Sequence, residues 1–399
     1  HKMKIYIKIV LYYLLITFNT FVFSSESNNP NDIKIGVLAP MSGELRELGQ
    51  ELLYTINLAL HDIDDQNIKI YPKDSASNRD KIIKSCKEFR EEGIKVILVL
   101  EDHKFTKDLN SFDDLVFISL SNIDSNINKN VIMTGVNLES QLLAIKKFLI
   151  KQKKKKTIIL YPKNKYAKHV ESNFKLIDFS NAKFFKYDQD PKILTKQIEK
   201  LTNYKQRKIN LESRIKKLEK SEDPKDLREL NKLKQKYTLG KVNFDSVVII
   251  DFGNNLKSVL TSLAYTDVTE KDVLIITGNQ WFDKSILEET SIKSFYFPSI
   301  NLKNFEKFNN IFYENYNYKP NEITILAYDA LGLIYYIWKT KGEIVSVNNF
   351  NFKKNIKGKT GDFKIFENKI TQSLNMYKLE DGRFIKSNFL FSFPIFYKL

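Results

Sequence analysis

The feature of this chain that most limits its fold is an alternation of short apolar runs with helical patterns. The run over 33–39 ends in Pro40-Met41-Ser42-Gly43, and apolar residues at helical spacing follow it over 48–63. Further apolar runs lie at 68–71, 96–100 and 115–120, and a second helical pattern covers 82–89. Strands that are apolar almost throughout, with helices between them, predict a parallel sheet that is covered on both faces.

The same alternation starts again at 157. Strands are predicted at 157–161, 183–187, 246–251 and 272–277, and helices at 165–179 and 255–265. A chain of 399 residues with 42% hydrophobic content can bury two cores. We therefore predict an α/β fold of two Rossmann-like lobes, each with a parallel sheet, joined by hinge crossovers of which one lies near 134–139. The predicted boundaries are 33–137 with 300–345 for lobe one, and 138–299 with 346–390 for lobe two.

One segment, 193–241, does not fit this alternation, because it is long, charged and helical. Leu211, Ile215 and Leu218 form one apolar stripe, and the leucines at 227, 230 and 233 form another. Asp223-Pro224 between them is typical of a helix N-cap followed by proline at the first helical position. The pattern predicts a helical hairpin inserted in lobe two. It carries 14 basic and 7 acidic residues between 196 and 236. This charge fits either a contact with a protein partner or the cell wall, or a solvated hairpin that packs only on itself.

The N-terminal segment 1–24 has the parts of a secretory signal. Basic residues precede an apolar run over 9–23, and small residues follow it. The run is shorter than the roughly 20 apolar residues that span a membrane, so we expect cleavage after Ser24 and a polar linker over 25–32. The only cysteine is Cys86, so no lipobox cysteine stands at the cleavage point and no intramolecular disulfide can form.

The charge of the chain is strongly positive. Its 64 basic and 48 acidic residues give a net charge of +16, which attracts anionic surfaces such as lipid headgroups, polyanionic cell wall or nucleic acid. Export argues against nucleic acid as a partner. The excess is mostly lysine spread through the chain, and this also fits a solvated, lysine-rich surface.

Several motifs resemble known families. The opening segment from Ile35 to Gly43, Ala327-Tyr328-Asp329-Ala330, and Gly358-Lys359-Thr360-Gly361 with Phe366 resemble type 1 periplasmic binding proteins of the leucine-binding type. A second set, together with the charged hairpin, resembles the penicillin-binding protein activator family more narrowly: Leu58-Ala59-Leu60-His61-Asp62-Ile63, Pro72-Lys73-Asp74, Val242-Asn243-Phe244-Asp245, Leu263-Ala264-Tyr265-Thr266-Asp267-Val268 and Gly278-Asn279-Gln280-Trp281. The resemblance covers about 33–384.

This resemblance implies an exported, non-catalytic protein of the periplasm that regulates peptidoglycan synthesis. Its partner would be a peptidoglycan synthase, a class A penicillin-binding protein. The alternative is a substrate-binding protein that delivers branched-chain amino acids or related solutes to an ABC permease. The family tends to carry Gly-Pro after the third strand, whereas this chain has Leu100-Glu101-Asp102-His103, which predicts that binding of a small amino-acid-like ligand is altered or lost.

The fold implied by the resemblance places a ligand cleft outside the carboxyl ends of the strands, where loops of both lobes meet. An amino acid would need hydroxyls or amides for its carboxylate, a carboxylate for its ammonium group and aromatic walls. By position, the candidates are Ser42, Gly43, Glu101, Asp102, Ser119, Ser121 and Asn122 from lobe one, and Tyr166, Phe252, Asn279 and Trp281 from lobe two. Serine and asparagine are also ordinary loop residues, and the aromatic side chains also fit core packing.

Catalytic and metal sites are not expected. The segments starting at Ser172, Ser299 and Lys359 match three short motifs of penicillin-recognising serine enzymes in order, but Ser172 lies midway along a predicted surface helix and the spacing between the first two is too long. His61 and Asp65 stand at i and i+4 without a third metal ligand nearby. The sequence contains no P-loop and no glycine-rich dinucleotide fingerprint, so no cofactor is expected.

Overall fold

The structure is a computed structural model that describes residues 32–122, 129–279, 294–352, 354–380 and 383–386. Within these ranges the strands form an eight-stranded sheet and a seven-stranded sheet. The predicted signal peptide (1–24) and almost all of the linker (25–32) lie outside the described residues, as do Trp281 and the end of the predicted lobe two (387–390).

The first sheet has the strand order β11-β12-β13-β5-β4-β3-β1-β2. Its parallel strands are β1 (Ile33–Ala39), β2 (Ile68–Asp74), β3 (Val96–Val99), β4 (Val116–Ser119) and β5 (Val131–Met133). The helices α1 (Arg46–Ile63), α10 (Leu302–Tyr316) and α11 (Ile325–Lys341) pack on one face of this sheet. The other face is covered by α2 (Arg79–Glu91) and α3 (Thr106–Leu109). Two covered faces explain why these strands are apolar almost throughout.

The second sheet has the order β15-β14-β10-β9-β8-β6-β7. Its parallel strands are β6 (Thr157–Pro162), β7 (Ala182–Tyr187), β8 (Ser246–Ile249), β9 (Leu274–Thr277) and β10 (Ser294–Ser299). The helices α6 (Pro191–Leu201) and α9 (Gly253–Tyr265) cover one face, and α4 (Leu138–Lys151) and α5 (Ala167–Leu176) cover the other. The fold class is therefore the predicted one, two α/β lobes with a hairpin insertion.

Both sheets are mixed, although parallel sheets were predicted. In the second sheet, β14 (Asn375–Glu380) lies antiparallel to β10, and β15 (Arg383–Lys386) lies antiparallel to β14. In the first sheet, β11 (Ile356–Lys357), β12 (Asp362–Phe366) and β13 (Lys369–Gln372) run antiparallel to one another, and β13 joins β5 in parallel. The prediction that the whole of 346–390 belongs to lobe two is therefore wrong for 356–372, because these strands complete the first sheet.

The inserted segment forms a helical hairpin, as predicted, but the predicted bounds (193–241) start too early, because 193–201 belongs to α6, which packs on the second sheet. Its helices are α7 (Tyr204–Leu218) and α8 (Pro224–Leu233), and the Asp223 carboxylate caps α8 by accepting the Lys225 N–H at 2.8 Å. A small apolar core between the two helices consists only of hairpin residues: Leu211, Ile215, Leu218, Leu230, Leu233 and Leu239. Across the surface of the pair, Arg214 binds both carboxylate oxygens of Glu229. The hairpin thus has its own core apart from those of the two lobes.

Candidate functional site

The two sheets face each other across their carboxyl edges. The chain passes between them three times, from β5 to α4, from β10 to α10 and from β13 to β14. β13 is parallel to β5, and Asn375 at the start of β14 pairs with Ser299 at the end of β10. Every crossing therefore joins the carboxyl edge of one parallel sheet to the carboxyl edge of the other, which is where open α/β sheets bind ligands.

Side chains tie the crossings to one another. Gln372 in the third crossing donates from its amide to Thr134 O at 3.2 Å, and its backbone N–H donates to Ser140 Oγ at 2.9 Å. Gln141 Oε1 accepts the Asn279 N–H at 2.9 Å, so the first turn of α4 contacts the carboxyl end of β9. These bonds fix the hinge to the edges of both sheets.

In the first lobe, Asp74 organises the loop that carries Ser42 and Gly43. Its carboxylate accepts the backbone N–H groups of Met41 (2.8 Å) and Ala76 (2.9 Å), and the Ser42 hydroxyl donates to it at 2.5 Å. Burial raises the pKa of Asp74, but these hydrogen bonds outweigh burial and bring it down to about 2. Gly43 is exposed and adopts a left-handed backbone with φ +79°. The Ser42 hydroxyl is therefore already used within the loop.

Glu101 and Asp102 lie next to each other but in different surroundings. The Glu101 carboxylate is partly buried and accepts the hydroxyl of Ser75, which is fully buried. Burial raises the pKa of Glu101 to about 7, against the opposing effect of the serine hydrogen bonds. Asp102 is exposed and accepts the Lys104 N–H at 2.9 Å, which closes the turn into the next helix. Glu101 is thus the carboxyl group in this edge that changes charge near neutral pH.

The candidates after β4 support the hinge. Ser119 is buried, and its backbone oxygen accepts the N–H and the hydroxyl of Thr134. The Ser121 backbone oxygen accepts the Gly135 N–H at 3.0 Å, and a Cβ on Gly135 would lie 2.4 Å from that oxygen. Asn122 is exposed. Ser119 and Ser121 therefore hold the first crossing close to β4.

In the second lobe, the edge is built around Asp251 at the end of β8. This buried carboxylate accepts the hydroxyl of Tyr187 and the Phe252 N–H, and burial raises its pKa. The Phe252 ring meets the Tyr166 ring edge-on at 6.1 Å, and burial raises the pKa of Tyr166. Asn279 is buried beside Gln141. The structure thus brings Tyr166 and Phe252 together as an aromatic pair, while Trp281 lies outside the described residues.

The sequence prediction missed Asp74, Ser75, Tyr187 and Asp251. All four lie at or just after the carboxyl end of a parallel strand, the position rule that selected the other candidates, so applying that rule to every strand would have found them. In this arrangement, most polar side chains of the two edges bind one another. The hydroxyls of Ser42, Ser75 and Tyr187 are each committed to a carboxylate within the protein.

The residues of the serine-enzyme motifs lie in unrelated surroundings. Ser172 is exposed on α5 and donates to His169 O at 2.8 Å, and Ser299 ends β10 with its hydroxyl buried. The Lys359 ammonium lies over the Tyr328 ring in the first lobe. Asp65 is held by Lys339 at 2.7 Å, while His61 beside it on α1 is exposed. No cluster of three potential metal ligands is found in the part of the chain that the structure describes.

The base of the hairpin is a second candidate surface. The Arg207 guanidinium is buried and makes five hydrogen bonds, to the backbone oxygens of Thr202, Gly240, Thr266 and Asp267 and to the hydroxyl of Thr238. These acceptors belong to both ends of the hairpin and to the turn after α9. One side chain therefore fixes the hairpin to the second lobe.

Comparisons with known proteins place the chain by fold. No protein family model and no curated protein sequence matches it. The C-domain of LpoA (YraM) from Haemophilus influenzae, a regulator of PBP1A, is similar with a TM-score of 0.56 and 12% identity, over 88% of this chain and 99% of that one. An ABC transporter substrate-binding protein from Desulfitobacterium hafniense, in complex with Leu, is similar with a TM-score of 0.58 and 15% identity, over 89% and 99% of the two chains.

Full-length LpoA from Haemophilus influenzae gives a TM-score of 0.59 and 13% identity over 89% of this chain, which spans 58% of that protein. These similarities show that the chain has the type 1 periplasmic-binding-protein fold, as the sequence motifs predicted. In the described ranges, the helices are too short or too polar for any of them to cross a membrane.

Proposed function

We propose that this chain is a non-catalytic, exported regulator of peptidoglycan synthesis that acts in the periplasm on a class A penicillin-binding protein. The observation that carries the proposal is the hairpin that Arg207 fixes to the second lobe. The hairpin has its own apolar core and a buried arginine at its base, and because burying that charge requires well-placed acceptors, the hairpin is held in a defined position on the lobe. The similarity to the LpoA C-domain, which covers nearly all of that domain, supports the same function.

The hairpin surface also has the composition of a binding surface. Ile209, Leu227 and Tyr237 are 53%, 44% and 75% exposed, and a basic residue is next to each of them in the sequence. Exposed apolar side chains among charges are typical of protein interfaces, where an apolar centre is ringed by polar groups. The hairpin is inserted between α6 and β8. A partner bound there leaves the carboxyl edges of the sheets uncovered.

The carboxyl edges favour a regulator over a transporter component. An amino-acid ligand would need free acceptors and donors, whereas the Asp74 carboxylate already accepts hydrogen bonds from Met41, Ser42 and Ala76. The Ser75 hydroxyl likewise donates its hydrogen bond to the Glu101 carboxylate. A ligand that displaced these bonds would have to replace each of them, which lowers its affinity.

The test is stimulation of the class A penicillin-binding protein of the same organism, measured as glycan polymerisation. In one variant, a short Gly-Ser linker replaces residues 209–236. The two ends of the hairpin lie close together, because the Leu239 N–H donates to Arg207 O at 2.9 Å, so a short linker can join them. The matched control is Asp74→Asn, which changes the cleft alone. We expect the wild type and Asp74→Asn to stimulate the synthase and the hairpin deletion to lose stimulation. A wild type without effect, or a deletion as active as the wild type, contradicts the proposal.

Solute binding is the second candidate, and the aromatic pair Tyr166 and Phe252 favours it. A pair of rings beside a buried carboxylate is a suitable wall for an aliphatic amino acid, and the similar Desulfitobacterium hafniense protein binds Leu. A ligand at 100 times its dissociation constant stabilises the folded state by about 2.7 kcal/mol. Thermal unfolding with each amino acid tests this: a shift that Tyr166→Ala abolishes supports transport, and no shift with any amino acid excludes it for these ligands.

A further inference from the structure

A cavity of about 730 Å³ lies at the base of the hairpin, on the side of the second lobe away from the crossings. Its walls come from the end of the hairpin (236–241), from the loop before β8 (242–245) and from the loop before β9 (267–273), together with Lys156 before β6. These segments precede the parallel strands. The cavity therefore opens at the amino edge of the second sheet, opposite the carboxyl edge that faces the first lobe.

The lining of this cavity is rich in positive charge. Five basic side chains take part, namely Lys156, Arg207, Lys236, Lys241 and Lys271. Among the described residues, none of Lys236, Lys241 and Lys271 forms a salt bridge with an acidic side chain, and all three are exposed. The basic run over 153–156 continues the same surface beside the start of β6.

The three acidic residues that line the cavity offset only part of the charge of its five basic side chains, and two of the three are held by hydrogen bonds within the protein. The Asp245 carboxylate accepts the backbone N–H groups of Lys155 and Lys156 at 2.9 and 3.2 Å, so it is used in joining β6 to β8. The Asp267 carboxylate accepts the Thr238 hydroxyl at 2.6 Å, so it is used in holding the hairpin base. Of the three, only Asp272 is exposed, and its carboxylate makes no hydrogen bond within the described residues.

We propose that this cavity binds an acidic segment of a protein partner, with Lys236, Lys241 and Lys271 pairing with its carboxylates. The inference rests on the proposed function and names the chemistry by which the partner is recognised. Three lysines on two segments around one cavity, two in 236–241 and one in 267–273, match separate carboxylates along a peptide. A bilayer presents a flat anionic surface, which a concave site between a hairpin and strand ends fits poorly.

The apolar part of the lining agrees with a peptide. Buried side chains of Phe244, Val268 and Val273 contribute to the cavity wall. Phe244 is the most exposed of the three at 6%, and an apolar residue between the carboxylates of the segment would lie against it.

The experiment uses fluorescence anisotropy with a fluorescein-labelled peptide of glutamates as the probe. Lys236→Glu, Lys241→Glu and Lys271→Glu are combined in one variant, and the same three positions are changed to Gln in a second. The matched control carries Lys87→Glu, Lys107→Glu and Lys303→Glu, which are exposed lysines of the first lobe with the same total charge change. We expect the peptide to bind the wild type and the control alike, and the first variant roughly tenfold or more weakly, with the Gln variant between them.

Equal weakening of peptide binding in the Glu variant and in the first-lobe control overturns the proposal, because the attraction would then come from overall charge. Equal binding to all four proteins overturns it as well, because the three lysines would then contribute nothing. If the wild type does not bind the peptide, the proposal is also overturned. In that case, phosphatidylglycerol vesicles that capture the wild type but not the Glu variant would identify a lipid-binding site. The synthase assay separates this inference from the proposed function. A Glu variant that stimulates the synthase fully overturns the inference alone, whereas a wild type that binds the peptide without stimulating any synthase overturns the function alone.

Discussion

The carboxylate of Asp329, near the start of α11, accepts the backbone N–H of Thr360 at 2.8 Å and the Thr360 hydroxyl at 2.5 Å. It also accepts the Lys359 N–H at 2.6 Å. Gly358 allows this approach, because a Cβ there would lie 2.5 Å from Asp329 Oδ2. One carboxylate thus fastens the turn between β11 and β12 to the helix, and with it the added edge of the first sheet.

Asp329→Asn should lower the free energy of unfolding by about 1–3 kcal/mol. The amide keeps the shape but turns an N–H₂ group toward donors, so buried donors lose their acceptor. Urea unfolding followed by circular dichroism measures the change. The control is Asp178→Asn, an exposed position, which should change stability by less than about 0.5 kcal/mol. If the two substitutions change the free energy of unfolding equally, the hydrogen bonds of Asp329 do not contribute to stability as predicted.

Glu101 should make stability fall as the pH rises. Its pKa in the folded state, about 7, lies above the usual 4.5 because the carboxyl group is buried. Its contribution is therefore fully present below pH 4.5 and is lost as the pH rises through 7. The loss is on the order of 2 kcal/mol, after allowance for partial exposure. Urea unfolding at pH 4.5 and pH 8 should show this fall in the wild type relative to Glu101→Gln, and a difference that is independent of pH would contradict it.

Arg207→Met should destabilise the protein by about 3 kcal/mol, because five acceptors at the hairpin base lose a buried donor. Trypsin should also cut the hairpin faster in this variant. Arg214→Met is the control. It removes a half-exposed ion pair with Glu229 and should cost less than about 1 kcal/mol without faster cleavage at the base.

Two helix glycines should respond in opposite directions to alanine. In Gly49→Ala the new Cβ would lie 2.1 Å from Pro40 O, so α1 would have to move from the loop after β1, at about 1–3 kcal/mol. Gly332, inside α11, has no atom within 4 Å of such a Cβ, so Gly332→Ala should stabilise the protein by up to about 1 kcal/mol. Thermal unfolding of both variants measures whether each substitution raises or lowers stability. A stabilised Gly49→Ala would contradict the prediction and show that the loop after β1 moves to make room for the methyl group.

The core strands were predictable because their signal is local. The run predicted at 33–39 is β1 (Ile33–Ala39), and the run predicted at 157–161 is β6 to within one residue. The sheet membership of 356–372 was not predictable in this way. β13 joins β5 through the pair Lys369 and Met133, which are far apart in sequence, and no local pattern indicates which of two sheets a short antiparallel strand completes.

The site was predictable by position but not by its hydrogen bonds. The ends of the strands predicted that Ser42 and Glu101 lie on the carboxyl edge of the first sheet. The sequence did not indicate that the Ser42 hydroxyl is donated to Asp74, or that Ser75 binds Glu101, because those partners are chosen by the packing of separate loops. Whether a polar side chain is available to a ligand depends on these tertiary contacts.

The hairpin leaves and re-enters the second lobe at the amino edge of its sheet, whereas all three crossings lie at the carboxyl edge. The length of the strands between those edges is about 20 Å. If the second lobe turned about the crossings, its hairpin would sit at the end of a lever arm and would travel farther than any residue beside the pivot. A small rotation between the lobes would therefore move a partner bound to the hairpin by a large distance. This architecture suits a second protein that responds to opening or closing of the cleft.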